Sequence, residues 1–146
     1  MLTITDPVKT ANGLRPLLLR LNRQLRRELG PVGITGGQAA LLHAISKNPG
    51  IGVRGLAQLE GISPPGMSGY VDRLESAALV RRVRSSEDRR RVGLELTEEG
   101  RSVLRSARSR RTAWLAKRLK RLDDAELAAV EAALPALARL LEDDPA

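Results

Sequence analysis

Leucines recur at steps of three and four residues between positions 14 and 29, and arginines occupy many of the positions between them. This spacing is typical of the apolar face of an amphipathic helix, so we expect a helix from about Leu14 to Leu29. The Gly-Pro pair that follows should end this helix. Gly13 and Pro16 should make the segment before Leu17 irregular or kinked.

A second helix is predicted between clear start and stop residues. Thr35 and Gln38 have the spacing of a capping box, in which each side chain bonds the backbone N–H of the other residue. The helix should therefore begin at Gly36 and end at Lys47, before an Asn-Pro-Gly sequence. The only histidine, His43, lies on this helix with no acidic residue close by in sequence, and we interpret it as a surface or packing residue.

Two short helices joined by a tight turn are predicted next. The first runs from Val53 to Glu60 and stops at Gly61, which tolerates the left-handed backbone of a helix end. Ser63 is a good N-cap and Pro64 suits the first helical position, so the second helix starts there. Its apolar face is predicted to hold Met67, Tyr70, Val71 and Leu74, and its outward face Pro65, Ser68, Gly69, Asp72 and Arg73. Glycine at two interior positions costs roughly 1 kcal/mol each against alanine, which indicates close approach to a partner such as DNA in its major groove.

A very basic β-hairpin should follow the second short helix. Val83 lies in the first segment, and Val92, Leu94 and Leu96 lie in the second. These apolar residues give the period of two that is expected of paired strands. The polar segment Ser85–Arg90 should form the turn between them. Six of the eleven residues in Arg81–Arg91 are arginine, which is more positive charge than a solvated hairpin needs and suits a wing lying along a phosphate backbone.

The arginines at the tip of this hairpin have two competing roles. Arg89 and Arg90 project from the turn, where the minor groove of A·T-rich DNA would attract an inserted arginine. A pairing of one of them with Asp88 would instead fix the turn. The sequence leaves open which arginine has which role.

Two further helices are predicted after the hairpin. Thr97 can cap a long, strongly basic helix that reaches about Leu119–Leu122. Asp123 and Glu126 form a second start of the capping-box kind, for a helix in which Pro135 should remove a hydrogen bond and cause a kink. The apolar residues of this last helix step by three and four, which indicates a seam for another helix: Leu127, Val130, Leu134, Leu137 and Leu141.

Composition favours one soluble, mostly helical domain that binds a polyanion. The 146 residues are 42% hydrophobic, which is enough for a core, and the bias to Leu, Ala, Arg and Glu favours helices. The net charge of +8 suits nucleic acid or an anionic membrane, and charge alone does not choose between them. Apolar runs are too short for a membrane span, interfacial aromatic residues are too few for a membrane-surface helix, and the N-terminus has no signal pattern, so we expect a cytoplasmic protein. The lack of cysteine excludes disulfides and thiolate metal sites.

No catalytic constellation is visible in the sequence. The chain has one histidine, no cysteine, no glycine-rich phosphate loop and no serine in a nucleophile-elbow context. Asp72 and Glu75 lie three residues apart on one helix, and we interpret them as partners for neighbouring arginines rather than as a catalytic pair. We therefore expect neither an enzyme nor a bound cofactor or metal.

The order of elements and several short motifs resemble the MarR family of winged helix-turn-helix transcriptional regulators over nearly the whole chain. The motifs are Ile34-Thr35 followed by Gln38, Leu56-Ala57 followed by Gly61-Ile62-Ser63, Pro64-Pro65 with Val71-Asp72-Arg73-Leu74-Glu75, Leu79-Val80-Arg81-Arg82, and Asp88-Arg89-Arg90 leading to Leu96-Thr97-Glu98-Glu99-Gly100. The resemblance implies a homodimer clasped by its first and last helices, with the second helix of the motif in a major groove and the wing at a minor groove.

Two positions depart from the family pattern. Gly69 stands where a bulkier, often basic residue is usual, and Ala78 where glycine commonly ends the recognition helix, at a cost of about 1 kcal/mol if alanine adopts a positive φ.

We therefore expect a mainly α protein with a small β-hairpin wing, in which residues 34–97 form the winged helix-turn-helix and residues 1–33 and 98–146 form the dimerisation helices of a single protomer. The expected function is homodimeric, sequence-specific regulation at a pseudo-palindromic DNA site, with repression ahead of activation. The resemblance also implies a small aromatic or anionic effector that releases the DNA. The expected DNA contacts are Ser63, Pro65, Ser68, Arg73, Arg84, Arg89, Arg90 and Arg91, and the expected dimer contacts are Leu14, Leu18, Leu127, Val130, Leu134, Leu137 and Leu141. The alternative is a nonspecific architectural DNA-binding protein, whose affinity for DNA would depend on salt concentration and not on the DNA sequence.

Overall fold

The computed structural model describes residues 5–144, so the outermost residues of the expected dimerisation segments lie outside this range. Within it the chain forms six α-helices, a short 3-10 turn and one antiparallel β-hairpin, which confirms a mainly α fold with a small β wing. The helices are α1 (Pro7–Arg27), α2 (Gly36–Lys47), α3 (Val53–Glu60), α4 (Pro64–Ser76), α5 (Glu98–Leu119) and α6 (Asp124–Arg139), and the strands are β1 (Val80–Arg84) and β2 (Val92–Leu96).

Helix α1 begins earlier than the sequence predicts. It starts at Pro7, where the Asp6 carboxylate accepts a hydrogen bond at 3.0 Å from the backbone N–H two residues further on. The helix then continues through Gly13 and Pro16, so the prediction of an irregular segment here is wrong. The cap at Asp6 supplies a start signal, and a proline removes only one backbone hydrogen bond from a helix of 21 residues.

Helices α2, α3 and α4 begin at the predicted residues, and side-chain caps form at the starts of α2 and α4. The Thr35 hydroxyl accepts the Gln38 N–H at 3.1 Å, and the Gln38 side chain accepts the Thr35 N–H at 3.0 Å. Gly61 ends α3 with a φ of 67°, the left-handed conformation that glycine allows. The Ser63 hydroxyl then accepts the Gly66 N–H at 3.3 Å at the start of α4. The left-handed Gly61 and the Ser63 cap together fix the tight turn between α3 and α4.

The chain divides into two compact units, Met1–Arg111 and Thr112–Ala146. The first unit has a continuous apolar core whose largest side chains are almost fully buried: Leu29, Leu42, Ile45, Leu56, Met67, Val71, Leu74, Val80 and Leu94. Leu104 and Ala107 of α5 belong to the same core. The core therefore extends beyond the predicted DNA-binding region on both sides, because Leu29 and the first turns of α5 complete its burial.

The hairpin packs on the core through one face near its base. Val80 pairs with Leu96 at the base, and both side chains are buried together with Leu94. Towards the tip, where Arg84 pairs with Val92, both residues are exposed. Leu94 and Leu96 thus follow the predicted alternation, whereas Val92 is exposed and Val83 pairs with Gly93 on the opposite face, where it is exposed as well. The tip extends away from the core.

A third backbone segment bridges the hairpin at its base. The Leu94 N–H donates to the Ile51 carbonyl oxygen at 2.8 Å, and the Gly50 N–H donates to the Leu94 carbonyl oxygen at 3.0 Å. A Cβ at Gly93 would lie 2.5 Å from the Gly50 carbonyl oxygen, so this close approach requires glycine. The bridge anchors β2 to the loop between α2 and α3.

Ala78 ends α4 in the way that glycine commonly does. Its φ is 61°, in the left-handed region. The Ala78 N–H donates to the Glu75 carbonyl oxygen at 2.9 Å and the Leu79 N–H donates to the Leu74 carbonyl oxygen at 3.0 Å, which are the two hydrogen bonds of a Schellman motif. The Thr97 hydroxyl also donates to the Ala78 carbonyl oxygen at 2.6 Å. The motif is kept although alanine costs about 1 kcal/mol in this conformation.

Helices α5 and α6 begin at their predicted caps. The Thr97 hydroxyl accepts the Gly100 N–H at 2.9 Å. Asp123 and Glu126 bond each other's backbone N–H groups at 3.1 and 2.8 Å, which confirms the second capping box. Helix α6 continues through Pro135 to its end. None of the helices within residues 5–144 is long and apolar enough to cross a membrane.

Candidate nucleic-acid interface

The outward face of α4 is turned away from the core. Met67, Val71 and Leu74 on the opposite face are fully buried. The outward residues are exposed except for the half-buried Ser68: Pro65, Ser68, Gly69, Asp72 and Arg73. A Cβ built on Gly69 would meet no atom of the described chain within 4 Å. The glycine is therefore not required by packing inside the protomer, and the surface around it is open to a partner.

Tyr70 lies at the edge of the apolar face of α4, and the prediction that it packs inward is wrong. The residue is 44% exposed. At about 100° per residue it lies roughly 60° from Met67 around the helix, where its ring can pack while its hydroxyl stays in water. The Arg73 guanidinium lies 5.7 Å from the centre of the Tyr70 ring, which is a cation–π contact. Tyr70 thus supports the side chain of an expected DNA-binding residue.

Arg82 of β1 joins the hairpin to α4. Its Nη2 lies 2.7 Å from Asp72 Oδ1, and its Nη1 lies 2.6 Å from Glu75 Oε1. The hydrogen bond to Asp72 is the main cause that raises the pKa of the Arg82 guanidinium above its ordinary value. The interpretation of these carboxylates as partners for arginines is confirmed, and a single arginine serves both.

Asp88 organises the turn at the tip of the hairpin. Its Oδ1 accepts the backbone N–H of Arg90 at 3.0 Å and the Arg90 side chain at 3.4 Å, and its Oδ2 lies 3.9 Å from the Arg91 side chain. Arg84 donates to the carbonyl oxygen of Arg89 at 2.9 Å. The pairing with Asp88 that the sequence left open is therefore made by Arg90. Arg84, at the end of β1, stabilises the same turn through its hydrogen bond to Arg89.

Positive charge at the tip is nevertheless accessible to solvent. The Arg90 and Arg91 side chains are 94% and 85% exposed, and Arg89 is exposed as well. An ion pair that leaves a guanidinium this exposed contributes little to stability. The free N–H groups can make charge-assisted hydrogen bonds to phosphate oxygens.

The residues predicted for the dimer interface are largely uncovered in the protomer. Leu18 is exposed and Leu14 half-buried on α1, and α1 adds further exposed leucines that the prediction omitted: Leu17, Leu19 and Leu21. On α6, Leu127, Val130 and Leu134 are exposed and Leu137 is half-buried. Leu141 lies beyond the end of α6, in a turn where its N–H bonds the carbonyl oxygen three residues back, so it does not continue the helical seam.

A cavity of about 290 Å³ lies beside α4, and no motif in the sequence predicts it. Its walls come from the start of α2, from the turn after α3, and from Tyr70 and Arg73 of α4. Leu41 and Ile62 supply apolar wall, and Glu60 supplies one carboxylate. The cavity therefore adjoins the helix face that carries Arg73.

Other chemistry is limited in the part of the chain that the structure describes. His43 is exposed on α2, which confirms its interpretation as a surface residue. Residues 5–144 contain no group of three or more histidine or acidic side chains placed to hold a metal ion. The exposed face of α4 and the hairpin tip remain the main candidate site.

Known proteins resemble this chain in sequence over most of its length. A model of the MarR family matches residues 32–91, which include α2, α3, α4 and β1. The chain is 27% identical over 142 residues to an uncharacterized HTH-type transcriptional regulator of Mycobacterium bovis, covering 97% of this chain and 99% of that protein. It is 32% identical over 95 residues to an HTH-type transcriptional repressor of the same species, covering 62% of this chain and 68% of that protein.

The fold agrees with a solved structure as well. The crystal structure of RV1404 from Mycobacterium tuberculosis superposes on this chain with a TM-score of 0.85 at 26% sequence identity. The superposition covers 98% of this chain and 100% of the RV1404 chain. The similarity therefore includes α1, α5 and α6 as well as the winged helix-turn-helix. The exposed face of α4, the basic hairpin and these relatives agree, and the chain belongs to the MarR family of DNA-binding transcriptional regulators.

Proposed function

We propose that the chain acts as a homodimeric repressor that binds a pseudo-palindromic operator in a sequence-specific way. The observation that carries this proposal is the exposure, on one compact unit, of both the outward face of α4 and the arginine-rich tip of the hairpin. An exposed helix suits a major groove and an exposed basic hairpin suits a minor groove. Repression is favoured over activation because one relative is named a transcriptional repressor.

Base reading is assigned to α4. Ser68 and Arg73 are the hydrogen-bond donors of its outward face, and an arginine can bond two acceptors of guanine at once. The Ser63 hydroxyl accepts a backbone N–H as a helix cap, so its own O–H remains free to donate to phosphate. Pro65 offers apolar contact, and Gly69 leaves room for the backbone of α4 to approach the DNA.

The apolar residues exposed on α1 and α6 support the homodimer. Leu18 on α1 and Leu134 on α6 are large hydrophobic side chains that the protomer leaves in water. A second copy of the chain can cover such surfaces through a two-fold axis. The axis relates two copies of α4, so the operator should be an inverted repeat whose half-sites lie roughly 10 base pairs apart, centre to centre.

Replacing Arg89 and Arg90 by alanine should make DNA binding less sensitive to salt. Both side chains are exposed, and each phosphate contact that is lost reduces the slope of log affinity against log salt concentration by roughly 0.9. One to two contacts per hairpin, doubled over a symmetric dimer, give a slope shallower by about 1.8 to 3.6. The measurement is a salt series on one duplex. The turn should survive, because the backbone N–H that Asp88 accepts is still present.

A matched control removes the same charge elsewhere. Lys117 is exposed on α5 and Lys120 is exposed in the turn directly after it, and replacing both by alanine should leave the slope nearly unchanged. If the hairpin variant keeps both the wild-type slope and the wild-type melting temperature, the tip neither touches DNA nor supports the fold, and its assignment to a minor groove is wrong.

The cavity beside α4 supports a further part of the proposal, release of the operator by a small aromatic anion. Tyr70 and Arg73 supply a ring and a cation at its wall, and Leu41 and Ile62 supply apolar surface. The Glu60 carboxylate at the same wall repels an anion, so Arg73 is the group that an anionic ligand would bond. A ligand that draws Arg73 into the cavity withdraws it from the outward face of α4. Ligand and DNA would then compete for one side chain, which makes their binding mutually unfavourable.

Benzoate should therefore weaken operator binding by the wild-type protein and not by an Ala40→Trp variant. Ala40 is exposed at the cavity wall and is not on α4, so an indole there should fill the cavity without altering the outward face of α4. The measurement is operator affinity at rising benzoate concentration for both proteins. An Ala40→Trp variant that responds as the wild type does would exclude this cavity as the effector site.

A further inference from the structure

Two carboxylates stand on α4 close to its outward face, where phosphates would repel them. Asp72 precedes Arg73 directly, and its side chain is 63% exposed. Glu75 lies three residues further on, at the neighbouring position on the same side of the helix. Two negative charges here oppose the approach of DNA unless a cation neutralises them. Arg82 is placed to do so.

The geometry at Arg82 is that of a fork with two separate acceptors. One terminal nitrogen bonds Asp72 at 2.7 Å, and the other bonds Glu75 at 2.6 Å. The Arg82 side chain is only 30% exposed, so solvent screens these bonds less than it screens ion pairs at the hairpin tip. A planar guanidinium bonded at both ends constrains direction as well as distance.

This contact is a second link between α4 and the hairpin. The first is the backbone turn at Ala78, which joins the end of α4 to the start of β1. The buried face of α4 also packs on the apolar core, but neither the core nor the turn bonds the polar side of the helix to the hairpin, so small rotations of that side stay possible. Arg82 belongs to β1 and bonds Asp72 and Glu75, which both precede the turn on α4. The turn and the Arg82 bonds together therefore oppose rotation of α4 relative to the hairpin.

We infer that Arg82 is a positioning residue for DNA recognition, which holds the outward face of α4 and the tip of the hairpin in one fixed relative orientation. Major-groove and minor-groove contacts are then made on the same duplex at once. The inference rests on the proposed sequence-specific binding. Arg82 acts through α4, so its loss lowers the ratio of specific to nonspecific affinity more than it lowers affinity for DNA in general.

The test compares Arg82→Gln with Arg81→Gln on the operator selected by the wild-type protein and on an unrelated duplex. Arg81 is the neighbouring residue, on the opposite face of β1, and its exposed side chain pairs with Glu95 at 3.1 Å, so the same charge is lost one position away. Arg82→Gln should lower the specific-to-nonspecific ratio by about tenfold, the effect expected when one hydrogen bond between charged, partly exposed groups is lost. Arg81→Gln should lower both affinities together. Arg82→Lys should recover only part of the ratio, because one ammonium lacks the fork geometry.

A double variant, Asp72→Ala with Glu75→Ala, separates positioning from charge. Removing two negative charges near DNA raises nonspecific affinity by electrostatics alone. If Arg82 acts through these carboxylates, the specific-to-nonspecific ratio still falls in the double variant. A ratio that stays constant or rises there overturns the inference, even where Arg82→Gln fails to fold. A wild-type ratio of one would contradict the proposed function itself, before any variant is compared.

Discussion

Replacing Leu134 and Leu137 of α6 by aspartate should convert the protein from a dimer to a monomer or an unfolded chain and should abolish operator binding. Leu134 is exposed and Leu137 half-buried in the protomer, at positions three residues apart on one side of α6. Burial of a leucine contributes about 1.5 kcal/mol or more, so four leucines across a symmetric dimer contribute about 6 kcal/mol. That loss corresponds to roughly a 10⁴-fold weaker dimer. Light scattering gives the oligomeric state, and circular dichroism shows whether the chain is folded.

The control places the same two aspartates on the other side of α6. Ala132 and Ala136 are exposed and lie outside the apolar seam, so their replacement by aspartate should leave a dimer that binds DNA. Light scattering that still shows a folded, DNA-binding dimer after both leucine replacements would show that this part of α6 is not the interface.

Gly100→Ala should destabilise the protein strongly, because the start of α5 touches the backbone at the end of α4. A Cβ on Gly100 would lie 2.0 Å from the Leu79 carbonyl oxygen, a distance that no packing tolerates. That oxygen also accepts the Thr97 N–H at 3.0 Å, so it cannot move without breaking a hydrogen bond. Forced overpacking costs about 1–3 kcal/mol or more. The melting temperature should fall by roughly 3 to 15 °C.

Gly69 offers a matched control for that change. It is also a helical glycine, but an added Cβ there meets nothing within 4 Å, and alanine favours the helix by up to about 1 kcal/mol. Gly69→Ala should therefore melt at or slightly above the wild-type temperature. Equal melting temperatures for the two variants would contradict the described packing of α5 against Leu79.

Elements defined by hydrogen bonds between residues close in sequence could be predicted without the structure. The capping boxes at Thr35 and Asp123 each need only two side chains three residues apart, and both are formed. The buried face of α4 follows in the same way from helical periodicity at Met67, Val71 and Leu74. Tyr70 was misassigned because periodicity places a residue at an angle and does not account for a ring with a polar end.

Features that depend on residues distant in sequence could not be predicted. Arg82 meets Asp72 ten residues away, across a turn whose geometry is set by the positive φ of Ala78. The bridge between Ile51 and Leu94 leaves no periodic pattern, since it constrains residue type only at Gly93, and a single glycine does not identify its backbone partner. The cavity beside α4 is formed by three separate segments and has no motif. The early start of α1 differs from these features, because it depends on a local cap at Asp6 whose effect outweighs the interior Gly13 and Pro16.

The arrangement also explains how a small unit can present two reading elements. The core fixes the buried face of α4, the Ile51 bridge anchors the base of the hairpin, and Asp88 shapes its tip. Each outward-facing arginine therefore belongs to a segment whose backbone is fixed by contacts with the rest of the protein. Preorganisation of this kind lowers the entropy that binding would otherwise cost.

Sequence-specific binding by a symmetric dimer is tested most directly by selecting bound sequences from random duplex DNA with the full chain. A symmetric, sequence-specific dimer should enrich one inverted repeat whose half-sites lie roughly 10 base pairs apart, centre to centre. Enrichment of such a repeat would establish specificity, symmetry and spacing together. A bound pool with no enriched sequence, together with an affinity that depends only on salt, would contradict sequence-specific binding and would identify a nonspecific architectural DNA-binding protein.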